Sequence, residues 1–211
     1  MTVTMQTKNK PKAVHFILLT INIILLVAFG TSFLMRNNYE FLIYVGAIVV
    51  CLAVISISFF KVRYSITTLV GLTVWSLLHM AGCGVFINGV RLYDIILIPL
   101  SQTYPILRYD QVVHTFGFAA ATLTMFDLLR PLLIPMKSGQ HLIALSIVVI
   151  MAGLGVGAFN EIVEAFVAAT IPQSGVGGYV NTALDLISDL IGAILAFVFI
   201  KWRYLKCDIP R

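Results

Sequence analysis

Apolar residues in this chain form long unbroken runs separated by short polar breaks, a pattern unlike the alternation of a half-buried strand or the stripe of an amphipathic helix. The runs are Val14–Met35, Phe41–Phe60, Tyr64–Ile87, Asp110–Leu129, His141 to about Thr170, and Tyr179–Ile200. Each is near the ~20 residues a helix needs to cross a bilayer. The pattern therefore predicts six transmembrane helices. Residues 88–109 are also partly apolar, but Asp94, Pro99, Gln102 and Pro105 interrupt them, so no spanning helix fits. An interfacial or re-entrant segment between helices three and four is expected there.

Composition agrees with this reading. The chain has 211 residues, 60% hydrophobic and 11% charged, with a mean hydropathy of +0.99. Soluble domains carry about 25% charge, so the expected class is an all-α polytopic membrane protein, one bundle in a lipid bilayer. The first run exceeds the roughly 7–15 residues of a signal-peptide core and reads as an uncleaved span. Eleven of the fourteen Lys and Arg fall on one side of the six spans, and Arg36, Arg91 and Arg108 on the other. The positive-inside rule then places both termini in the cytoplasm. A seventh span would put the basic C-terminus outside. The expected organisation is a basic tail (1–13), two helices (14–63), a four-helix core (64–201) and a second basic tail (202–211). The net charge of +5 is explained by topology and does not point to nucleic acid.

Within the last run, Asn181, Asp185 and Asp189 are spaced four apart and form one polar stripe. Helix four opens with Asp110 and His114 (i,i+4), and helix five carries Asn160, Glu161 and Glu164 late in its length. With alternating helix directions and ~1.5 Å per residue, these groups fall within roughly 15 Å of the outer face. His79, late in helix three, joins them. An acid at a helix centre costs about 2.5–3.5 kcal/mol on insertion scales, so five of them must face an interior or a wet cavity. Spans three to six contain no Lys or Arg. The balancing charge is then a divalent metal ion, bound protons, or Arg91 and Arg108 folding in.

These groups are the candidate site. Asp110, His114, Glu161, Glu164, Asp185 and Asp189 are candidate catalytic residues and metal ligands, with His79 a further ligand or a packed core histidine. Arg91 and Arg108 either clamp an anionic headgroup or anchor the interface. Asp110 alone would also suit a helix start, and Asn181 an interhelical hydrogen bond. Asp127 reads as a surface pair with Arg130, His141 as interfacial beside Lys137, and Trp202 and Tyr204 as belt residues. Cys51, Cys83 and Cys207 have no metal-ligand spacing, and Cys51 reads as a small core residue. Gly153, Gly155 and Gly157 follow no strand and read as close-approach positions between helices.

The stretches YDQVVHTFGF (109–118), NEIVEAF (160–166) and YVNTALDLISDLIGAILA (179–196) resemble the YjdF-like family of bacterial membrane proteins. More distantly they resemble the VanZ-like group, with its Asp-x-x-x-His at a helix start, later Glu and Asp-rich final helix. HMAGCGVFINGVRLYD (79–94) extends the YjdF-like pattern, so the resemblance covers 75–200. It implies a multi-pass cell-envelope protein of the bacterial inner or plasma membrane. VanZ-like members are associated with tolerance of cell-wall-directed glycopeptides, which implies envelope chemistry.

Three functions are expected to compete. One is a metal-dependent enzyme acting on a lipid-linked or phosphorylated envelope substrate. Another is a non-catalytic protein binding a metal or an envelope ligand. The third is a proton-coupled transporter, which the apolar inner halves of helices five and six disfavour.

Overall fold

A computed structural model describes residues 10–133, 142–171 and 174–204. The readings made for the tail before Lys10, for Lys137 and His141, and for the chain after Tyr204, Cys207 included, lie outside the described residues.

Six helices follow the six apolar runs: α1 (Ala13–Met35), α2 (Tyr39–Ser58), α3 (Ile66–Gly84), α4 (Tyr109–Leu133), α5 (Leu142–Thr170) and α6 (Tyr179–Tyr204). All six are long and apolar enough to cross a membrane. α1 is apolar on every side and buries only Asn22, Leu26 and Phe33, as expected of a helix bathed in lipid. α4 and α6 are the most buried helices, run parallel, and make the most extensive helix contact in the bundle. Gly192 makes this possible: a Cβ there would meet the Thr115 carbonyl and lie 3.0 Å from the Ala119 nitrogen. α3 and α5 flank the pair, while α1 packs on α3 and α2 on α1.

α4 continues through Pro131, where the sequence predicts its end. A single proline removes one N–H, and the helix needs only to forgo the bond to the Asp127 carbonyl. Asp127 itself is a correction. It is buried, accepting hydrogen bonds from Ser65 N at 2.8 Å and Thr68 Oγ1 at 2.6 Å. It caps α3 together with Ser65, whose Oγ accepts from Thr68 N. Arg130 lies over the Tyr204 ring instead. Cys51 is also corrected: it is exposed on α2, and Cys83 is the buried thiol.

Residues 88–109 form no helix long enough to span. Strands β1 (Phe86–Ile87) and β2 (Val90–Arg91) pair as a hairpin around Asn88-Gly89, both with positive φ. That is the pairing a two-residue turn requires. A 3-10 turn (Leu92–Asp94) follows, and the segment returns on itself through Leu97 N to Leu107 O and Tyr109 N to Ile95 O, both 2.9 Å. Ile96, Leu97, Ile98, Leu100 and Tyr104 are exposed along it, an apolar surface suited to the membrane interface.

Two buried apolar clusters bracket the bundle. One joins Phe33, Phe41, Tyr44, Met80, Cys83 and Val167, at the end where the hairpin lies. The other joins Phe126, Val149, Phe197 and Ile200 toward the opposite end. Of the buried acids among the described residues, all but Asp127 lie toward the hairpin end.

Candidate functional site

His114 sits one turn into α4, on the face that meets α6 and α5. It is buried, and Nδ1 lies 2.9 Å from Asp189 Oδ1 on α6. The ring's other contacts are ionic: Nε2 to Asp110 Oδ1 at 3.7 Å, Nδ1 to Glu161 Oε1 at 3.9 Å, and Nε2 to Glu164 Oε1 at 3.9 Å. Three helices thus place four carboxylates around one imidazole. Asp185 completes the group, one turn before Asp189, and is tied to Asn181 Nδ2. The i,i+4 and i,i+3 spacing puts each pair on one helix face, so the helices need only pack in register.

Asp189 depends on a small neighbour. A Cβ on Gly157 would stand 2.8 Å from the Asp189 Cγ, and one on Gly153 3.0 Å from the Thr122 Cβ. Both glycines serve close approach, as expected. Gly155 does not, because nothing lies within reach of its Cβ.

The carboxylates lack enough donors. Both oxygens of Glu161, Oδ1 of Asp185 and Oδ2 of Asp189 are buried without a hydrogen-bond partner. Glu164 is better served, with Asn160 Nδ2 at 2.8 Å. A buried unpaired acceptor is costly, and a buried unpaired charge far more so. Two sets of side chains offer ligand atoms within 4.8 Å of one another: Asp110, His114 and Asp185, and His114, Glu161 and Glu164. Hard oxygen donors with one imidazole suit a divalent ion such as Mn²⁺, Fe²⁺ or Zn²⁺. The orphaned oxygens fit such a group.

His79 stands apart from both sets. Its Nδ1 lies 2.5 Å from the Tyr93 hydroxyl, and its ring packs against Tyr44, Trp75 and Tyr93. Burial pushes the Tyr93 phenol well above its ordinary value, so it keeps its proton, and the His79 tautomer sets which of the two donates. Of the two expected readings of His79, the packed, hydrogen-bonded one matches this environment.

The two arginines differ. Arg91 is a strut: Nε donates to Asp94 Oδ2 at 2.9 Å, Nη2 donates to the Gly175 carbonyl at 3.0 Å, and Glu40 lies 3.9 Å away. Burial opposes its charge, but Asp94 and Glu40 outweigh that and raise its pKa above the ordinary value. Arg108 donates from Nη1 to Asn181 Oδ1 at 3.4 Å, while its Nε is buried and unpartnered. A cavity of about 60 Å³ lies between them, lined by His79, Tyr93, Asp110 and Glu164 among others. Glu40 was absent from the expected site. Besides Arg91 it accepts from Gly175 N at 2.9 Å, and its only signal in sequence is an acid in the first turn of a helix.

Six spanning helices around a buried histidine–carboxylate cluster define an integral, multi-pass membrane protein. Residues 16–206 match a family described as predicted membrane protein (DUF2238), and the chain belongs to it. No curated protein and no solved structure matches the chain.

Proposed function

We propose that the His114 cluster holds a divalent cation, and that the protein is a metal-dependent enzyme acting on a phosphorylated or lipid-linked substrate of the bacterial envelope. The site then faces the extracytoplasmic half of the membrane. The observation carrying this reading is Glu161, buried beside His114 with neither carboxylate oxygen in a well-formed hydrogen bond and only the Thr182 hydroxyl near enough to interact. The charge count on basic residues supports the orientation, and the YjdF-like and VanZ-like resemblance supports an envelope substrate.

Asp189 takes the proton-bearing Nδ1 of His114, which fixes the tautomer and turns the Nε2 lone pair toward Asp110 and Glu164. Asp110, Glu161 and Asp185 offer oxygens, and Asp189 orients the imidazole from behind. A bound divalent ion supplies Lewis acidity and an activated water. Glu164 borders the small cavity and takes the role of general base. Arg108, with Nε free, faces the anionic headgroup. Arg91 shapes the mouth by holding Glu40, Asp94 and Gly175 together.

A second reading rests on the cavity's small volume: a protein that binds the cation without turnover. Phosphate release from a polyprenyl diphosphate in Mn²⁺-supplied proteoliposomes separates the two. The enzyme reading predicts release by the wild type and at least about a 100-fold loss in Glu164→Gln, the scale of a lost general base. Retained metal with no release contradicts the enzyme and leaves the binding protein. A transport path is disfavoured by the buried Phe126, Val149, Phe197 and Ile200 beneath the cluster.

A further inference from the structure

A larger cavity than the one beside the cluster lies away from it. It is an apolar groove of about 620 Å³ between α1, α2, α3 and α4, within the size range of small-molecule sites. It opens because α2 rests on α1 and makes no extensive contact with α3 or α4. Its floor is Trp75, Ser76, Gly117 and Phe118, and its rim is His15, Phe60 and Tyr64. Phe118 and Trp75 separate it from the site, since their rings pack on His114 and His79.

Charge and polarity distinguish the rim from the lining. Pro11 and Phe60 line the groove, and their chain neighbours Lys10, Lys12 and Lys61 are exposed. Of the acids among the described residues, Asp127 alone lies at this end, and it is committed to Ser65 and Thr68. The other seven lie toward the hairpin end. An apolar trough ending in exposed lysines with no acid beside them among the described residues is complementary to one ligand class.

We infer that this groove is a binding site for an anionic glycerophospholipid, one acyl chain lying against Ile48, Leu72, Phe118 and Met125 and the phosphate at the Lys12–Lys61 rim. The inference is independent of the metal centre. An apolar groove gains little from a lipid tail over bulk bilayer, so preference among lipids comes from the headgroup and from shape. By the positive-inside count the rim faces the cytoplasmic leaflet, where anionic lipids act on juxtamembrane lysines.

Delipidated protein in neutral detergent, supplied with phosphatidylglycerol or phosphatidylcholine of identical chains, tests the site by native mass spectrometry of retained lipid. Wild type is expected to retain the anionic lipid preferentially. Lys12→Gln with Lys61→Gln should lower that preference by about fivefold per lysine, and Ala121→Phe, filling the groove from α4, should reduce retention of both lipids. Equal retention of the two lipids by wild type overturns the inference, as does a preference that survives the double lysine variant. Both lysines are exposed, so that variant keeps the test valid if Ala121→Phe fails to fold.

Discussion

Four carboxylates lie within 3.9 Å of His114, yet only Asp189 hydrogen-bonds it. That asymmetry divides the cluster into an orienting residue and donors. Asp189→Asn should preserve the fold and lower metal affinity by about 10–100-fold, the usual effect of removing a ligand's supporting partner; metal titration by calorimetry checks it. Gly157→Ala should act in the same direction, because its Cβ would displace the Asp189 carboxylate. Asp127 belongs to stability. Asp127→Ala leaves Ser65 N and Thr68 Oγ1 without their acceptor and should cost about 1–3 kcal/mol, measured as a drop in unfolding midpoint, with no change in metal content. Spacing made the His114 group legible in sequence: acids one turn apart in an apolar helix must share a face and avoid lipid. Asp127 was not legible. Its neighbour Arg130 suggests a surface pair, whereas its partners Ser65 and Thr68 lie some sixty positions away.

At the scale of elements, the α4–α6 pair sets the site, since Asp110, His114, Asp185 and Asp189 all come from it. Gly192→Leu should separate these helices and remove both stability and metal binding, read by thermal unfolding and metal content together; an unchanged midpoint would contradict the packing described. The loop over the site is tied by Arg91. Arg91→Ala should speed hydrogen exchange at residues 92–97 and 174–178 while leaving α3 and α6 protected. Apolar runs were sufficient to predict the helices, because length and hydropathy decide a span. The hairpin was hidden, since strands two residues long give Asn88-Gly89 no alternating flanks. Cys51 illustrates the complementary ambiguity: in a membrane helix, an apolar neighbourhood in sequence marks a lipid-facing position as readily as a core one.

Across the whole molecule, charge is polarised. Among the described residues all acids but Asp127 lie toward the hairpin end and, by the count of Lys and Arg, basic residues gather at the other. If the hairpin end is extracytoplasmic, a cysteine placed at Thr103 in a cysteine-free background should react with a membrane-impermeant maleimide in intact cells. One placed at Lys61 should react only after permeabilisation; the reverse pattern would invert the site. The central claim concerns the cation that balances five clustered carboxylates against one imidazole. Elemental analysis of detergent-purified protein, wild type against Glu161→Gln with Glu164→Gln, addresses it most directly. The account predicts a stoichiometric divalent metal in the wild type and its loss in the double variant. Metal-free wild-type protein that is folded, stable and indifferent to chelator would contradict it.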